Sequence, residues 1–396
     1  MKLLPFAGIL FLILSCSPSE KAEVNKGDDT KKISLIAEDS TVVRDIIAST
    51  FIFQDGDAEH LIFRDAPAST IYVFDRVSGG LLNKWTKTGD VPGSFSMATK
   101  NLEVSQSGEI ILIDVSEGLR VFAKDGELIS RANPVANQWS LGGAFNLFRQ
   151  TALVSLNGDK HVLYSLDILE PDLVEYGPKF LQNRKNLVLT NLETGEHRLI
   201  LPFPEGSKFL NGKVYPFEDF RPLFVIDEFA NKLYLIFQNE PILYTYSWND
   251  AAPELLSRVR IDLPGFEENE GWEPGSIHMA QITDNENEPF PARIQGFEAV
   301  EGGFLLSYST KPTDLDNYNR YKSKDRTRES LNQIYEETRR KTVFLDLDGK
   351  VLPVDFPEMH YQSFQIIDGK IHWMKTPTRG EEAEEFTLYW GKLNIE

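Results

Sequence analysis

A hairpin signal that recurs six times constrains the fold of this chain more than any other feature. Each copy is a short apolar strand, a turn containing Gly, Asn or Asp, and a second apolar strand. These residues suit the turns because tight hairpins require positive φ. The first strands of the six copies begin at Phe51, Leu102, Ala152, Leu223, Phe297 and Phe364. The pattern predicts an all-β fold built from repeated units.

A second hairpin follows the first in five of the six units. Its turns contain Gly79-Gly80, Asp125-Gly126, Thr194-Gly195, Asn249-Asp250 and Asp348-Gly349. Two hairpins give four antiparallel strands per unit, which is the composition of a β-propeller blade. We therefore predict a six-bladed β-propeller. An irregular β-sandwich, a pair of β domains, and a ring of seven blades with one blade inside the insertion of the third unit are the alternatives.

The two ends of the repeated region predict how the ring closes. The sixth unit ends with strand-like residues 386–390 and 392–395, and this leaves its blade incomplete. Residues 33–48 contain a spare strand, Val42–Ile47. A propeller closed by this N-terminal strand would have no exposed sheet edge at the junction of its first and last blades.

One segment of the fifth unit breaks the β rhythm. Leu331, Ile334 and Tyr335 have helical spacing within residues 325–340, and charged residues occupy the other positions. This pattern predicts a short helical insertion near 325–340, between the second and third strands of its unit.

The first two units carry a more specific motif. The segment 88–95 reads Thr-Gly-Asp-Val-Pro-Gly-Ser-Phe, and a strand, the Gly108 turn and the hairpin 121–126 follow it. The segment resembles the loop between blades of NHL-type six-bladed propellers, although Val91 replaces the middle glycine. The match covers about 40 residues, and the other units match as generic propeller blades.

The N-terminal segment predicts where the protein is located in the cell. Cys16 is the only cysteine among 396 residues, and it follows the apolar run Leu3–Leu14 in the sequence Ile13-Leu14-Ser15-Cys16, which resembles a bacterial lipobox. We expect a signal peptide at 1–15, a lipidated flexible tether at 16–32 and the propeller at 33–396. A cleaved secretory signal with an incidental cysteine is the alternative. Ser17 after the cysteine favours the outer membrane.

A lipobox followed by such blades resembles the propeller lipoproteins of the Bacteroidetes type, and this resemblance implies no particular activity.

The charge of the chain limits the classes of partner that it can bind. With 60 acidic against 41 basic residues, the net charge of −19 disfavours nucleic acid, which requires basic patches. We expect a bilayer to hold the acylated Cys16. An envelope protein, a peptide or a glycan is compatible as the partner of the propeller.

No catalytic motif stands out in the sequence. It contains no nucleophile elbow, no phosphate-binding glycine loop and no metalloprotease motif, and its six histidines lack the spacing of zinc ligands. We predict no cofactor. Calcium stays an alternative at two acidic loops, Asp346-x-Asp348-Gly349 and residues 284–288.

Loops that enter the first strand of each unit are the best candidates for a binding site, because propeller ligands bind at the channel face. Two such loops are rich in aromatic and charged residues, Tyr215–Arg221 and Gly265–His278. The candidate ligand-binding residues are Lys100, Arg221, Trp272, His278 and His360. We expect a binding propeller of the cell envelope, with a metal-dependent hydrolase or lyase in the central channel as the alternative.

Overall fold

A computed structural model describes residues 33–44, 51–65, 69–91, 93–95, 102–105, 107–114, 117–135, 150–166, 177–249, 252–276, 290–322, 327–357, 359, 364–375 and 385–395. They belong to one compact unit, Lys32–Glu396. The predicted signal peptide, Cys16 and the tether lie outside the described residues. Within these ranges, no helix combines the length and the apolar character needed to cross a bilayer.

Four of the five described sheets contain four antiparallel strands each, in sequence order. Sheet I comprises β2 (Phe51–Gly56), β3 (His60–Asp65), β4 (Thr70–Asp75) and β5 (Leu81–Thr86). Sheet II comprises β6 (Glu103–Val104), β7 (Ile110–Asp114), β8 (Gly118–Phe122) and β9 (Leu128–Ala132). Sheet III comprises β10 (Thr151–Leu156), β11 (Asp159–Ser165), β12 (Lys185–Asn191) and β13 (His197–Pro202). Sheet IV comprises β14 (Pro222–Asp227), β15 (Lys232–Phe237), β16 (Glu240–Ser247) and β17 (Leu255–Arg260).

Sheet V has eight strands in two halves. Half Va comprises β18 (Arg293–Val300), β19 (Gly303–Ser309), β20 (Lys341–Asp346) and β21 (Val351–Asp355). Half Vb comprises β22 (Phe364–Ile367), β23 (Lys370–Met374), β24 (Glu385–Ile395) and β1 (Ile33–Arg44). The halves are joined by a short parallel pairing, in which Ile33 and Ser34 lie beside Val354 and Asp355.

The predicted hairpins are confirmed. All six first hairpins and all five second hairpins are present at the expected positions. At Asn157-Gly158 both turn residues have positive φ, 55° and 90°, and Asp368-Gly369 has 50° and 72°. These are the turns for which Asn, Asp and Gly were expected, because other residues are strained there.

The helical insertion differs in part from its prediction. Helix α1 (Pro178–Asn183) lies between β11 and β12, whereas α2 (Leu315–Lys322) and α3 (Arg328–Glu337) lie between β19 and β20. The predicted helix near 325–340 corresponds to the shorter α3, which begins after a capping box of Thr327 and Ser330. Helix α2 was not predicted. Tyr335, expected on the apolar face, is 56% exposed, whereas Ile334 is buried.

The N-terminal strand closes the last unit, as predicted. Strand β1 pairs with β24 from Ile33 opposite Ile395 to Arg44 opposite Glu385. The strand begins earlier than the predicted Val42–Ile47, whose last three residues lie outside the described ranges. It occupies the position of the missing fourth strand in half Vb.

Apolar side chains fill the spaces between consecutive units. The described residues form six such clusters, one for each pair of neighbours. The cluster between half Vb and sheet I joins Val43 and Leu388 to Phe53 and Phe63, so the last unit packs on the first. Burying one large apolar side chain contributes about 1.5–3 kcal/mol. The fold is therefore all-β and propeller-like.

The first strands of the units lie at the centre of the molecule. Strand β2 contacts β22 and β6, β6 contacts β10, and β18 contacts β14 and β22. We call β2, β6, β10, β14, β18 and β22 the inner strands, and the space that they surround the channel. Because each unit is antiparallel, its two hairpin turns lie at one end and its other connections lie at the opposite end. We name these ends the turn face and the loop face.

On the turn face, cations of one unit pair with acids of the preceding unit. The pairs are Arg76–Asp368 at 2.8 Å, Lys124–Asp57 at 3.4 Å and Lys160–Glu109 at 2.9 Å. Arg76 also lies 3.2 Å from Nε2 of buried His372. Burial and Arg76 lower the pKa of His372 to about 4, so the neutral ring accepts from Arg76 and donates to the Lys370 carbonyl. The contact of the first unit with the last thus repeats a contact made elsewhere in the molecule.

The β1–β24 ladder depends on a glycine. A Cβ at Gly391 would overlap the Ile36 carbonyl oxygen of β1. We expect Gly391→Ala to lower the free energy of unfolding by about 1–3 kcal/mol, the usual cost of overpacking. Urea unfolding of the domain of residues 33–396 checks this. Gly80→Ala at an exposed turn, where the nearest atom is 3.3 Å away, is the control. Equal effects of the two substitutions would contradict the account.

Candidate functional site

The loop face carries the long connections of the fold. They include residues 203–221 before β14, residues 261–292 before β18, and residues 310–340 with α2 and α3. On the turn face, by contrast, β10 and β11 are joined by two residues, and so are β22 and β23. Variation in loop length is thus concentrated at one end of the channel, where the predicted site was placed.

The two loops singled out in the sequence meet on this face. Val214 and Trp272 exchange two backbone hydrogen bonds of 2.9 Å and form a short bridge. Gly271 has φ +74°, and a Cβ there would lie 2.7 Å from the buried ring of Tyr215. The bridge fixes the backbone of Trp272, whose side chain is half-buried.

A buried polar network lies beneath the bridge. Fully buried Asp219 accepts a 2.7 Å hydrogen bond from Asn269 Nδ2. The side-chain oxygen of buried Asn239 accepts from Asn269 N at 2.7 Å and from Lys208 Nζ at 2.6 Å. Asn239 Nδ2 donates to the Ala292 carbonyl at 2.7 Å. The network therefore ties the loop before β14 to the loop before β18.

Glu240 extends this network into the first residues of β16. Its carboxylate accepts from Lys208 N at 2.6 Å, Ser207 Oγ at 3.0 Å and the Tyr244 hydroxyl at 2.9 Å. Burial raises the pKa of Glu240 and lowers that of Lys208. A buried charge of this kind is tolerated because several donors surround it.

Two arginines lie at the loop-face ends of neighbouring inner strands. Arg221 precedes β14 and packs over the Phe217 ring at 4.7 Å. Burial lowers its pKa to about 10, Glu218 opposes that shift, and the charge of Arg293 adds to it. Arg293 begins β18 and lies 3.5 Å from Glu218 and 3.6 Å from Asp219. The two guanidinium groups therefore share the field of one carboxylate at the channel mouth.

Three carboxyl groups lie deeper, on inner strands. Asp55 is in β2, Glu103 in β6 and Glu298 in β18, and Arg340 interacts with Glu298. Protein atoms surround all three carboxyl groups, although each of the three residues is partly exposed. Burial raises the pKa of Asp55 and of Glu298 to about 7 and places that of Glu103 well above its usual range.

Gln150, at the loop-face end of β10, connects three inner strands. Its Oε1 accepts from Phe224 N of β14 at 2.8 Å, and its Nε2 donates to the Phe297 carbonyl of β18 at 3.3 Å. Since Gln150 immediately precedes β10, one side chain holds β10, β14 and β18 together.

The structure places two of the five predicted ligand-binding residues. Arg221 and Trp272 are on the loop face, on the two loops that meet. Lys100, His278 and His360 lie outside the described residues, as does the lipidation candidate Cys16. The network residues and the channel carboxyls were missed. The available signal was a charge inside an apolar inner strand, as in Leu102-Glu103-Val104 and Phe297-Glu298-Ala299.

The described ranges contain no metal-binding cluster, because no three His, Cys, Asp or Glu side chains in them are grouped to hold an ion. At one calcium alternative, Asp346 Oδ1 accepts from Asp348 N at 3.0 Å and from Lys350 N at 2.8 Å. This carboxylate organises a hairpin turn. The other alternative, residues 284–288, lies outside the described residues.

Known proteins match this chain in structure. A member of the DUF4221 family from Bacteroides vulgatus ATCC 8482 matches with a TM-score of 0.62 and 12% identity, over 93% of this chain and 100% of that one. A protein of Bacteroides fragilis NCTC 9343 that is predicted to be exported gives 0.49 and 10%, over 93% and 96%. The Cps50 (Swd1) β-propeller domain of Myceliophteria thermophila gives 0.37 and 10%, over 69% and 68%.

The first of these likenesses shows the fold and no more, because the identity is low. No family model matches the chain. No curated protein matches its sequence either. Function must therefore be argued from the residues of this chain.

The network predicts a large loss of stability when Asp219 is removed. Asp219→Ala would leave Asn269 Nδ2 without its buried acceptor and would remove an anion that lies 3.6 Å from Arg293, and breaking a buried ion pair costs about 3–5 kcal/mol. Denaturant unfolding measures this free energy. Glu270→Ala, an exposed acid on the facing loop, is the control and should change it by less than about 0.5 kcal/mol. A mild effect of Asp219→Ala would show that the network is dispensable.

Proposed function

We propose that the chain is a cell-envelope lipoprotein whose six-bladed, NHL-like propeller binds a ligand or partner protein on the loop face. The observation that carries the proposal is the joining of the loops before β14 and β18 by the Val214–Trp272 bridge and the buried network beneath it. A surface held in one conformation loses little entropy on binding, which favours recognition.

Six blades follow if sheet V is divided between β21 and β1. Only Ile33 and Ser34 pair across that line, whereas each half has the four-stranded order of sheets I–IV. Six apolar clusters between six units agree with this division. The NHL-like loop is supported by Gly89 and Gly93, which have φ of 80° and 75°, and by Phe95, which is buried against Phe122.

The address rests on the lipobox at Cys16. Acylation there would hold the propeller to the outer membrane, and the charged, polar residues 16–32 would act as a spacer. Several acyl chains are needed for stable anchoring, because a single chain binds a bilayer only marginally. The excess of acidic residues makes nucleic acid a poor partner and leaves a peptide, a glycan or an envelope protein as the partner class.

A hydrolase or lyase that uses a metal in the channel is the second candidate. The observation in its favour is the pair of channel carboxyls, Asp55 and Glu298, whose pKa values of about 7 suit general acid–base catalysis. Metal that copurifies with the mature domain, together with turnover that a chelator abolishes, would establish the enzyme in place of the binding module.

Anchoring is tested at the cysteine. We expect Cys16→Ser protein to leave the membrane fraction, because the acyl chains would be absent, and Ser17→Ala protein to stay in it. Fractionation of cells that express each variant measures the distribution. If the Cys16→Ser protein still partitions with membranes, the lipoprotein proposal is wrong.

Binding is tested by comparing the two faces. Trp272→Ala removes a half-buried aromatic side chain from the loop face but keeps the backbone bridge, whereas Phe229→Ala removes a fully exposed aromatic from a turn-face hairpin. For a partner captured from envelope extract by the wild type, we expect at least tenfold weaker binding by Trp272→Ala, because aromatic anchors dominate interfaces. Phe229→Ala should bind normally. The opposite result would assign recognition to the turn face.

A further inference from the structure

The three channel carboxyls lie where backbone ladders are absent. Inner strands belong to different sheets, so no ladder of hydrogen bonds connects β2 to β6, or β6 to β10. Asp55 and Glu103 bridge these seams. The Asp55 carboxyl accepts from Val104 N of β6 at 2.6 Å, and the Glu103 carboxyl accepts from Leu153 N of β10. Each carboxyl thus links its own strand to the next inner strand.

The same carboxyls repel one another when they are ionised. Glu298 interacts unfavourably with both Asp55 and Glu103, Asp55 does so with Glu103, and Asp57 adds a further negative charge near Asp55. Among the described residues, the cation that acts on this group is Arg340, between α3 and β20, which interacts with Glu298. Its guanidinium lies over Gly296, where a Cβ would overlap it. Within the described part of the chain, three ionised carboxylates would outnumber this guanidinium by two negative charges.

We propose that Asp55, Glu103 and Glu298 form a proton-operated seam, which holds the inner strands together when it is protonated and loosens them when it is ionised. The cluster couples sheets I, II and III to half Va, so its charge affects most of the ring. This inference concerns the fold and does not depend on which ligand the loop face binds.

The direction of the pH effect follows from the titration of the seam. The pKa values of Asp55 and Glu298 rise from 3.8 and 4.5 to about 7, because burial outweighs the backbone donors that favour the ionised form of Asp55 and the Arg340 charge that favours the ionised form of Glu298. The folded chain therefore holds protons that the unfolded chain has already released at intermediate pH. The contribution of the seam to the free energy of unfolding must then fall as pH rises from about 4 through about 7. Because the three groups interact, their apparent pKa values belong to the seam as a whole and not to single residues.

Other groups titrate too, so the wild type alone does not isolate the seam. The pKa values of Asp219 and Glu240 are also raised, whereas those of Asp57, Asp75 and Glu109 are lowered and act in the opposite direction. A substitution within the seam separates its contribution. Glu103→Gln keeps the volume of the side chain and an oxygen acceptor for Leu153 N, but it removes the ionisable group.

The experiment measures amide hydrogen exchange and urea unfolding at pH 5.5 and 8.5, with exchange corrected for its intrinsic pH dependence. In the wild type, we expect protection at Val104 and Leu153 to fall at least tenfold between pH 5.5 and 8.5, the factor that corresponds to one pKa unit. Glu103→Gln should lose less protection than the wild type over this range, because one of the three ionisable groups is gone, and it should unfold at higher urea than the wild type at pH 8.5. Glu301→Gln, at an exposed glutamate of the β18–β19 turn, should behave as the wild type.

A second variant keeps the test decisive if Glu103→Gln does not fold. Arg340→Gln removes the compensating cation, so its stability should fall more steeply than that of the wild type between pH 5.5 and 8.5. Wild-type protection that is unchanged across this range would overturn the proposal. So would identical behaviour of Glu103→Gln and Glu301→Gln, or an Arg340→Gln protein with the pH dependence of the wild type.

Discussion

Pairing of β1 with β24 is the interaction on which the rest of the fold depends. Every unit buries apolar side chains against two neighbours, so an open ring would expose the face of sheet I and the face of half Vb. Strand β1 supplies the fourth strand of half Vb, and Val43 brings that half into the cluster with Phe53 and Phe63. A segment from one end of the domain thereby completes a sheet made at the other end, and no unit is left with an unpaired face.

Polar groups have different roles on the two faces. On the turn face, short hairpins carry cations that reach the preceding unit, as Arg76 and Lys124 do, and these contacts maintain the spacing of the ring. On the loop face, the long segments before β14 and β18 enclose Asp219, Asn239 and Asn269, which form hydrogen bonds with one another and with Lys208. The first arrangement is repeated and structural. The second occurs once among the described residues and distinguishes one sector of the ring.

Local chemistry explains what the sequence could predict. Turns such as Asn157-Gly158 can be recognised in the sequence because few residues tolerate positive φ. Eleven hairpins could be predicted from such turn residues and the apolar strands on either side of them. Helix α2 was missed because its residues lack an apolar period. The channel carboxyls were missed because Asp55, Glu103 and Glu298 are separated by roughly 50 and nearly 200 residues. Their encounter depends on ring geometry, to which no local pattern responds.

Because the ring is closed by strands from the two ends of the domain, it can close only after the last strand has been synthesised. Strand β24 is made about 340 residues after β1, which at 5–20 residues per second is roughly 20–70 s. Throughout that interval β1 lacks its antiparallel partner β24, while sheets I–IV can already form from neighbouring residues. Contacts between such distant segments form slowly. The waiting strand is thus the part of the nascent chain most exposed to premature association, and a chaperone that shields 33–44 would protect the whole ring.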